Sequence, residues 1–563
     1  MHLEAREPIP DTQLPGPLVA EDGRDDEVAL GLVQTLDVLP VARVKPLEVA
    51  GAARTHVRND TLEAMATTET RTYRNYIGGE WVDAASGETF ESRSPADGEL
   101  IGVFPRSGPE DVDRAVAAAK VAYEEWRLVP APKRGEILFR FAQLLVEHKA
   151  ELTELMTHEM GKVKAEAGGD VQEAIDMSTY MGGEGRRLFG QTTPSELRDK
   201  FNLSVRMPIG VIGVITPWNF PIAIPSWKIA PALVCGDTVV FKPATDTPAL
   251  GQRFVELLDE AGVPKGVVNI VHGGGGAVGD RLVRHPDVPV ITLTGSRETG
   301  VTVMRNAADA LKRIHLELGG KNGVIVMEDA DLDLAVDGII WSAFGTSGQR
   351  CTAASRVIVH EAVYDELARR LVERAERLRL GPGWEDSTDV GPVINAAALE
   401  KIHSYTQIGL DEGATLLTGG EVASEGDLAK GCYYRPTIFG DVEPGMRIAQ
   451  EEIFGPTTAL IRVRDLDEAI RVSNGIRYGL SSSIFTRDVN RAFRAIRDLE
   501  AGITYVNAGT IGAEVHLPFG GVKETGNGHR EAGQAALDVF TEWKAVYVDY
   551  SGTLQRAQID NVE

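Results

Sequence analysis

The strongest constraint on the fold is an alternation of short apolar runs and helical segments that begins near residue 209. Apolar runs at 211–215, 238–242, 267–271 and 290–294 are each separated by a segment with helical spacing. Parallel strands need such helical crossovers, whereas antiparallel strands are joined by short turns. The pattern therefore predicts a parallel sheet covered by helices. A second strand–helix–strand series after Glu317 predicts another α/β unit.

Helical spacing also occurs outside these two series. It predicts helices at 109–126, at about 133–160, at 277–284 and at 332–344. Alternating segments near 201–206 and 543–550 predict two further strands, which lie apart from the parallel series in the sequence.

Size and composition limit the class of protein. A chain of 563 residues exceeds one ordinary core, so more than one domain is expected. The formal net charge of −25, with no basic stripe, indicates that nucleic acid is not a partner. No apolar run approaches the roughly 20 residues that a membrane-spanning helix needs. Three cysteines without a Cys-x-x-Cys pair predict reduced thiols in the cytoplasm, and no metal site is predicted.

The first 64 residues differ from the remainder. They contain no aromatic residue, several prolines and acidic clusters such as Asp25-Asp26-Glu27. Such a composition can bury little apolar surface, so residues 1–64 are predicted to form a disordered extension. A start codon assigned too early is the alternative, since the chain reads like a normal N-terminus from Met65.

Polar and glycine-rich segments follow four strands of the predicted parallel sheet. Ligands of such sheets bind beyond the carboxyl ends of the strands, and glycines let backbone N–H groups approach a phosphate. Four successive segments of this kind predict a nucleotide-type cofactor site. The segments are Thr216-Pro217-Trp218-Asn219-Phe220-Pro221, Lys242-Pro243-Ala244, 273–279 and 294–300.

Cys351 is the candidate nucleophile. It lies in a segment of small residues, 344–353, and Glu317 precedes it by 34 positions. A thiolate can attack a carbonyl carbon, and a carboxylate can take a proton from the thiol or later from a water. A buried, inert cysteine is the alternative, which the neighbouring motifs disfavour.

Residues 70–550 resemble the aldehyde dehydrogenase superfamily, because motifs of that family occur in order and at the expected spacing. Besides 217–221 and 242–244, these motifs are Thr294-Gly295-Ser296, Glu317-Leu318-Gly319-Gly320-Lys321, Gly348-Gln349-Arg350-Cys351, 451–456 and Pro518-Phe519-Gly520-Gly521.

The resemblance implies three structural parts in an α/β fold. A Rossmann-like NAD(P)-binding domain would comprise 65–187 and 208–316, and an α/β catalytic domain 317–530. A small β oligomerisation arm with the C-terminal tail would comprise 188–207 and 531–563. A homodimer or homotetramer follows from that arm, since exposed edge strands favour pairing with a partner.

The resemblance also implies a reaction. Cys351 would attack a small aldehyde, and the Asn219 amide with the Cys351 backbone N–H would form the oxyanion hole. After hydride transfer to the nicotinamide, Glu317 would activate the water that hydrolyses the thioester to a free acid. Branches that pass the acyl group to coenzyme A usually lack this acid, so Glu317 favours hydrolysis.

Further roles are implied position by position. Glu452 would hold the nicotinamide ribose and Phe454 would pack near that ring, while Lys242 and Ser296 would serve the adenosine ribose and pyrophosphate. Glu531 matches a carboxylate on the proton-exit route, or else forms a structural ion pair with a nearby cation. The complete set of cofactor residues implied is Thr216, Trp218, Lys242, Thr245, Gly275, Gly279, Gly295, Ser296, Glu452 and Phe454.

Two positions bear on specificity. Many NAD-preferring members carry glutamate where this chain has Thr245, so the repulsion of a 2′-phosphate is absent and NADP should be tolerated. Arg350 and Glu173 resemble the pair that grips the carboxylate and amine of α-aminoadipic semialdehyde, whereas the long loop 507–519 resembles branches that use ketoglutarate or pyrroline-carboxylate semialdehydes. The alternative for Arg350 is a structural role in the catalytic loop.

Two other functions are alternatives to the oxidation of an aldehyde. A catalytically silent paralogue kept for binding or structure is the alternative from another class, and intact Cys351, Glu317 and Asn219 disfavour it. A thiol esterase that uses Cys351 without cofactor would be a side activity only.

Overall fold

The computed structural model describes residues 71–560, so the predicted extension at 1–64 lies outside the described residues. The strands are, in chain order, β1 (Asn75–Ile77), β2 (Glu80–Val82), β3 (Thr89–Arg93), β4 (Leu100–Pro105), β5 (Gln191–Thr193), β6 (Lys200–Pro208), β7 (Val211–Ile215), β8 (Thr238–Lys242), β9 (Val268–Ile270), β10 (Val290–Thr294), β11 (Arg313–Glu317), β12 (Asn322–Val326), β13 (Ala354–His360), β14 (Thr415–Thr418), β15 (Thr437–Gly440), β16 (Thr457–Val463), β17 (Tyr478–Gly479), β18 (Ser481–Phe485), β19 (Ile503–Val506), β20 (Val522–Lys523) and β21 (Thr541–Asp549).

Helices connect most of these strands. They are α1 (Pro109–Trp126), α2 (Ala131–Glu147), α3 (Lys149–Glu159), α4 (Lys164–Glu184), α5 (Ala223–Cys235), α6 (Pro248–Glu260), α7 (Asp280–Arg284), α8 (Arg297–Ala307), α9 (Leu332–Phe344), α10 (Tyr364–Ala375), α11 (Ala396–Asp411), α12 (Arg447–Gln450), α13 (Leu466–Asn474) and α14 (Val489–Asp498).

The first large sheet has the strand order β11-β10-β7-β8-β9-β1-β2. Strands β7 to β11 are parallel, and the edge pair β1 and β2 is antiparallel. Successive side chains of a strand point to opposite faces. Ile212 and Val214 therefore join one buried cluster with Leu233 of α5, while Val211 joins the other with Val116 of α1. This two-sided burial explains why the strands read as continuous apolar runs.

The second large sheet has the order β14-β15-β16-β13-β12-β18-β19, and every pair except β14–β15 is parallel. Val324 and Val326 of β12 face the helix α9, whereas Ile325 packs on the opposite side with Ile470 of α13. Together, the two mostly parallel sheets confirm the predicted α/β class with a Rossmann-like and a catalytic part.

A separate antiparallel sheet, β21-β6-β5, joins the two regions predicted for the arm. Nine residues of β21 pair with β6 from Thr541↔Pro208 to Asp549↔Lys200. Large apolar side chains of this sheet remain exposed, including Phe201 and Tyr547. A sheet with this much open apolar surface has the character of an association surface.

Several predicted elements agree with the structure, and two differ. The predictions for α1, α9 and β10 are confirmed to the residue. The single helix predicted at 133–160 is wrong, because the chain breaks between α2 and α3 at His148, whose Nδ1 pairs with Glu151 and with Arg253. The helix predicted at 277–284 begins at Asp280 and follows a wider π turn at Gly275–Gly279, which the glycine run permits.

Among the described residues, no helix is both long and apolar enough to cross a membrane.

Candidate active site

Cys351 follows a tight turn between α9 and β13. Three residues of that turn have left-handed backbones, Thr346 (φ 52°), Ser347 (φ 55°) and Gly348 (φ 69°). Such a conformation costs a residue with a side chain about 1–3 kcal/mol and persists only where surrounding contacts enforce it. A Cβ on Gly348 would overlap the carbonyl oxygen of Gly455, so this position also needs glycine for space.

Hydrogen bonds from distant segments hold the turn. The Thr346 N–H donates to Glu166 of α4 at 2.7 Å, and the Ser347 hydroxyl donates to the Gly391 carbonyl at 2.7 Å. On the far side, the Asn322 amide donates to the Cys351 carbonyl at 2.8 Å. The candidate nucleophile Cys351 is thereby held through its backbone and the turn before it, and not through its side chain.

Asn219 reaches the same turn from the end of β7. Its buried side-chain amide donates to the Gln349 carbonyl at 3.0 Å, two residues before Cys351. A primary amide has two N–H groups, so one can still bond an oxyanion. Asn219 and Cys351 both line a cavity of about 260 Å³. Its other lining residues are Pro217, Trp218, Thr294, Gly295, Ser296, Leu318, Gly319, Lys401, Glu452 and Phe454.

The electrostatics of the thiol are unusual. Burial first, and then the negative charges of Glu452, Glu317 and Glu531, raise the pKa of the Cys351 thiol to about 12. The free protein therefore holds Cys351 as the thiol. Any complex that forms a thiolate must bring a positive charge or a hydrogen-bond donor to the sulfur.

Glu317 ends β11 and is almost fully buried. Neither of its carboxylate oxygens has a hydrogen-bond partner among the described residues. Burial, followed by the nearby carboxylate of Glu531, raises the pKa of Glu317 well above its usual range, although Lys228 and Arg530 oppose the shift. Burial and this neighbouring carboxylate therefore favour the protonated form of the Glu317 carboxyl. An unpartnered buried acid is costly, and such groups mark functional sites more often than structural ones.

A polar network that the sequence analysis missed lies behind Glu317. Lys228 of α5 forms a buried ion pair with Glu531 and donates to the Thr292 hydroxyl at 3.0 Å. The Thr292 hydroxyl lies 2.8 Å from His315 Nδ1. The ion pair that was the alternative for Glu531 is thus present, within 3.9 Å of His315.

Signals for this network were present in the sequence. Lys228 is a single cation in the otherwise apolar helix α5. His315 lies two residues before Glu317 on a strand, and residues i and i+2 share a face.

Eight of the ten predicted cofactor residues line two cavities at the carboxyl ends of β7, β8 and β10, whereas Thr216 and Thr245 line neither. The larger, of about 480 Å³, is lined by Lys242, Gly275 and Gly279, with Glu298 and Thr302 of α8 opposite. A Cβ on Gly275 would meet nothing within 4 Å, so the backbone there is open to a ligand. Trp218, Gly295, Ser296, Glu452 and Phe454 line the smaller cavity with Cys351.

Individual cofactor residues have defined contacts. Lys242 Nζ donates to the carbonyls of Pro243 (2.7 Å) and Gly273 (3.2 Å), and Thr216 N–H donates to the Lys242 carbonyl. Ser296 caps α8, and Thr245 is exposed just beyond β8. The Thr294 hydroxyl at the cavity wall has no partner among the described residues. Open glycine backbone and an unpartnered hydroxyl fit a dinucleotide.

The position of the Glu452 carboxylate depends on the glycine pair Gly319-Gly320. One of its oxygens accepts the Gly320 N–H at 3.0 Å, and a Cβ on Gly319 would overlap the other. The glycine pair after Glu317 therefore lets this carboxylate reach the cavity.

The predicted substrate residues Arg350 and Glu173 are not in hydrogen-bond contact. Arg350 Nη2 donates to Glu166 at 3.1 Å and its Nε to the Thr346 hydroxyl at 3.0 Å, so its fork grips the turn. Glu173 lies half-buried further along α4. Burial, and then Asp170, raise the pKa of Glu173 to about 8, against the opposing charges of Lys162 and Arg350.

Residues 81–546 match the model of the aldehyde dehydrogenase family. The chain belongs to the aldehyde dehydrogenase family. It is 42% identical over 482 residues to the alpha-ketoglutaric semialdehyde dehydrogenase of Bacillus subtilis (strain 168), covering 85% of this chain and 99% of that protein. It is 45% identical over 480 residues to the alpha-ketoglutarate semialdehyde dehydrogenase of Haloferax volcanii, with the same coverage.

A solved structure agrees with these relatives. The crystal structure of betaine aldehyde dehydrogenase from Staphylococcus aureus in complex with NAD+ superposes with a TM-score of 0.84 at 36% identity, covering 85% of this chain and 95% of that one. Family membership confirms the predicted enzyme class, an NAD(P)-dependent aldehyde dehydrogenase.

The glycine in the catalytic turn provides a test of its geometry. Gly348→Ala should reduce aldehyde oxidation about 100-fold or more, because a displacement of the nucleophile by about 1 Å is enough for such a loss. The comparison is Gly169→Ala on the exposed side of α4, where a Cβ would meet nothing within 4 Å and activity should be unchanged. Steady-state absorbance of the reduced cofactor measures both, and equal activities would show that the turn tolerates a side chain.

Proposed function

We propose that this enzyme oxidises a semialdehyde, an aldehyde with a distal carboxylate, to the free acid with NAD+ or NADP+. The observation that carries the hydrolytic outcome is Glu317, a buried carboxyl with both oxygens unpartnered whose charge acts on the Cys351 thiol. A base in this position can activate water against an acyl group on the sulfur. The names of the relatives above support a semialdehyde as the substrate class.

In the first half of the reaction, Cys351 Sγ gives up its proton to solvent and bonds to the aldehyde carbon. The carbonyl oxygen becomes an oxyanion, which the free Asn219 N–H and the Cys351 backbone N–H stabilise. Preorganised donors of this kind contribute about 3–4 kcal/mol to lowering a barrier.

The cofactor fits the two cavities. Lys242, Gly275, Gly279 and Ser296 would hold its adenosine and pyrophosphate end, and Glu452 and Phe454 its nicotinamide end. When bound, the oxidised nicotinamide supplies a hydride acceptor and a positive charge beside Cys351. NADP is tolerated because Thr245 carries no charge to repel a 2′-phosphate.

In the second half, ionised Glu317 takes a proton from a water whose oxygen attacks the thioester carbon. The C–S bond breaks, the thiolate of Cys351 is regenerated and the acid leaves. Because burial raises the pKa of Glu317, this half-reaction accelerates as the pH rises through that pKa.

We propose that Arg350 and Glu173 act at the substrate end of the site. Arg350 keeps two donors on Glu166 and Thr346 and presents its remaining edge beside Phe220. A guanidinium suits a distal carboxylate because its planar fork binds two oxygens at once.

We also propose that the sheet β21-β6-β5 associates with a second copy of the chain as a homodimer or homotetramer. Tyr547 is 72% exposed on this sheet. Burying such side chains against a partner removes apolar surface from water, at about 25 cal/mol per Å².

A substrate panel tests the proposed function. 2-Oxoglutaric and succinic semialdehydes should give kcat/KM at least 10-fold above pentanal and butanal, with NAD+ and with NADP+, because the distal carboxylate gains a charged partner. Cys351→Ala should abolish all turnover. No reduced cofactor with any aldehyde would instead support the silent paralogue, and equal kcat/KM for charged and neutral aldehydes would exclude the semialdehyde preference.

Glu317→Gln should separate the two half-reactions. The amide cannot take a proton from water, so one equivalent of reduced cofactor should appear as a burst while steady turnover falls about 100-fold or more. Rapid-mixing absorbance measures both phases. If the burst falls as much as the steady rate, Glu317 acts on the thiol and not on the water.

Tyr547→Glu should weaken subunit association, because a carboxylate would have to be buried at the interface. Light scattering coupled to size exclusion should then show a smaller species, or dissociation at higher concentration than for the unmodified enzyme. Lys544→Glu, at an exposed charged position on the same strand, is the matched control. An unmodified enzyme that is monomeric, or a Tyr547→Glu variant of unchanged mass, would contradict the arm proposal.

A further inference from the structure

His315 is a buried polar residue beside Glu317 that the proposed mechanism does not use. It lies on β11 directly opposite Thr292 of β10, in the register Thr292↔His315. Its Nε2 lies 3.8 Å from Glu317 Oε1 and has no hydrogen-bond partner among the described residues. Both Glu317 oxygens also lack a partner, so an unused nitrogen faces unused oxygens in one buried space.

The hydrogen bonds on the other side of the ring fix which nitrogen carries the proton. Lys228 Nζ, which is paired with Glu531, donates to the Thr292 hydroxyl, so this hydroxyl accepts from it. His315 Nδ1, 2.8 Å away, is the one remaining partner of that hydroxyl among the described residues, so the Thr292 hydrogen is assigned to Nδ1 as its acceptor. A neutral imidazole whose Nδ1 accepts a hydrogen bond carries its proton on Nε2.

The surrounding charges keep this ring neutral. Burial, with Lys228 of α5 and with His529 and Arg530 of the segment before β21, lowers the pKa of His315 well below its usual range. Glu531 is the opposing anion, 3.9 Å from Nδ1, and it is already paired with Lys228. The donor that faces Glu317 is therefore an imidazole N–H and not an imidazolium.

We propose that His315 is the positioning residue of the catalytic base: its Nε2–H donates to Glu317 when that carboxylate is ionised and stabilises the ionised form. The inference rests on the function proposed for Glu317. The two atoms lie 3.8 Å apart in the free protein, beyond hydrogen-bond distance, so the bond forms by a movement of the Glu317 side chain toward His315. His315 touches neither substrate nor sulfur, and it acts only through Glu317.

The sign of the effect follows from the donor. A hydrogen bond to the charged form of a carboxyl lowers its pKa. Loss of the Nε2–H therefore raises the pKa of Glu317. In the plot of deacylation rate against pH, the rising low-pH part, the acid limb, moves to higher pH. Lys228, Arg530, Glu531 and Cys351 also face Glu317, and they are the same in every variant below.

Three substitutions of His315 distinguish a hydrogen-bond donor from a side chain that only fills space. The terminal amide of His315→Gln reaches where Nε2 lies, whereas that of His315→Asn reaches only as far as Nδ1, and His315→Leu has no donor. The acyl-enzyme is formed with aldehyde and cofactor at one pH, transferred to a series of pH values and quenched at intervals. Intact-mass measurement of the remaining acyl adduct then gives the decay rate at each pH.

The acid limb of decay should move up by about one pH unit in His315→Asn and His315→Leu, and by much less in His315→Gln. Below the limb, decay should slow about 10-fold, with the high-pH plateau and the burst of reduced cofactor unchanged. Thr292→Val, which frees the tautomer, should shift the limb in the same direction. His158→Gln on α3, a half-buried histidine outside this network, is the control and should not shift it.

Two outcomes would overturn the inference. One is a limb that stays at the wild-type pH in both the Asn and the Leu variants. The other is a Gln variant shifted as far as Leu, which would mean that His315 only fills space. Since a normal burst in these variants still reports acylation on Cys351, failure of the inference is distinguishable from failure of the proposed function, in which no enzyme gives a burst.

Discussion

The active site depends on the parallel pairing of β10 with β11. This register places Thr294 beside Glu317 and Thr292 beside His315. Thr294 lines the cavity that contains Cys351, while Thr292 faces the buried network. A shift of the register by one residue would turn every side chain of β11 to the opposite face of the sheet. The carboxyl of Glu317 would then point away from the Cys351 thiol. The pairing of two strands thus connects the cofactor cavity, the base and the groups behind the base.

Exclusion of water from the site is the second constraint, because burial disfavours the ionised forms of both Cys351 and Glu317. Burial raises the pKa of Cys351 and of Glu317 together, so it favours the thiol and the protonated carboxyl in the free enzyme. A reactive thiolate exposed to solvent would be prone to oxidation, and a protonated thiol is much less so. A positive charge brought to the sulfur by a bound cofactor would favour the thiolate. The donor that is proposed to favour the carboxylate, His315, is already present in the free enzyme, so binding would act on the thiol and not on Glu317.

Much of the fold and of the reacting groups could be predicted from the sequence, because they follow local rules. The apolar runs of β7, β8 and β10 identify buried parallel strands, and Cys351 and Glu317 are residue types that the chemistry requires. His315 and Thr292 could not be assigned in this way. Each is an ordinary polar residue in a strand, and their contact depends on a pairing register that no local pattern encodes. Similarly, the break at His148 coincides with a contact to Arg253, a residue 105 positions away.

The contact between Arg350 and Glu166 would join the proposed recognition of the substrate to the shape of the turn before Cys351. Glu166 accepts from the Thr346 N–H and from Arg350 at once, and Arg350 also donates to the Thr346 hydroxyl. The left-handed backbone at Thr346 is thus held by the same guanidinium that is proposed to meet the substrate carboxylate. Because Arg350 keeps its donors on Glu166 and Thr346, a substrate carboxylate at its remaining edge would be bound by the same side chain that holds this turn. Under the proposed role, substrate binding and the position of the Cys351 sulfur would be linked, and an arginine next to Cys351 would be compatible with both a structural and a recognition role.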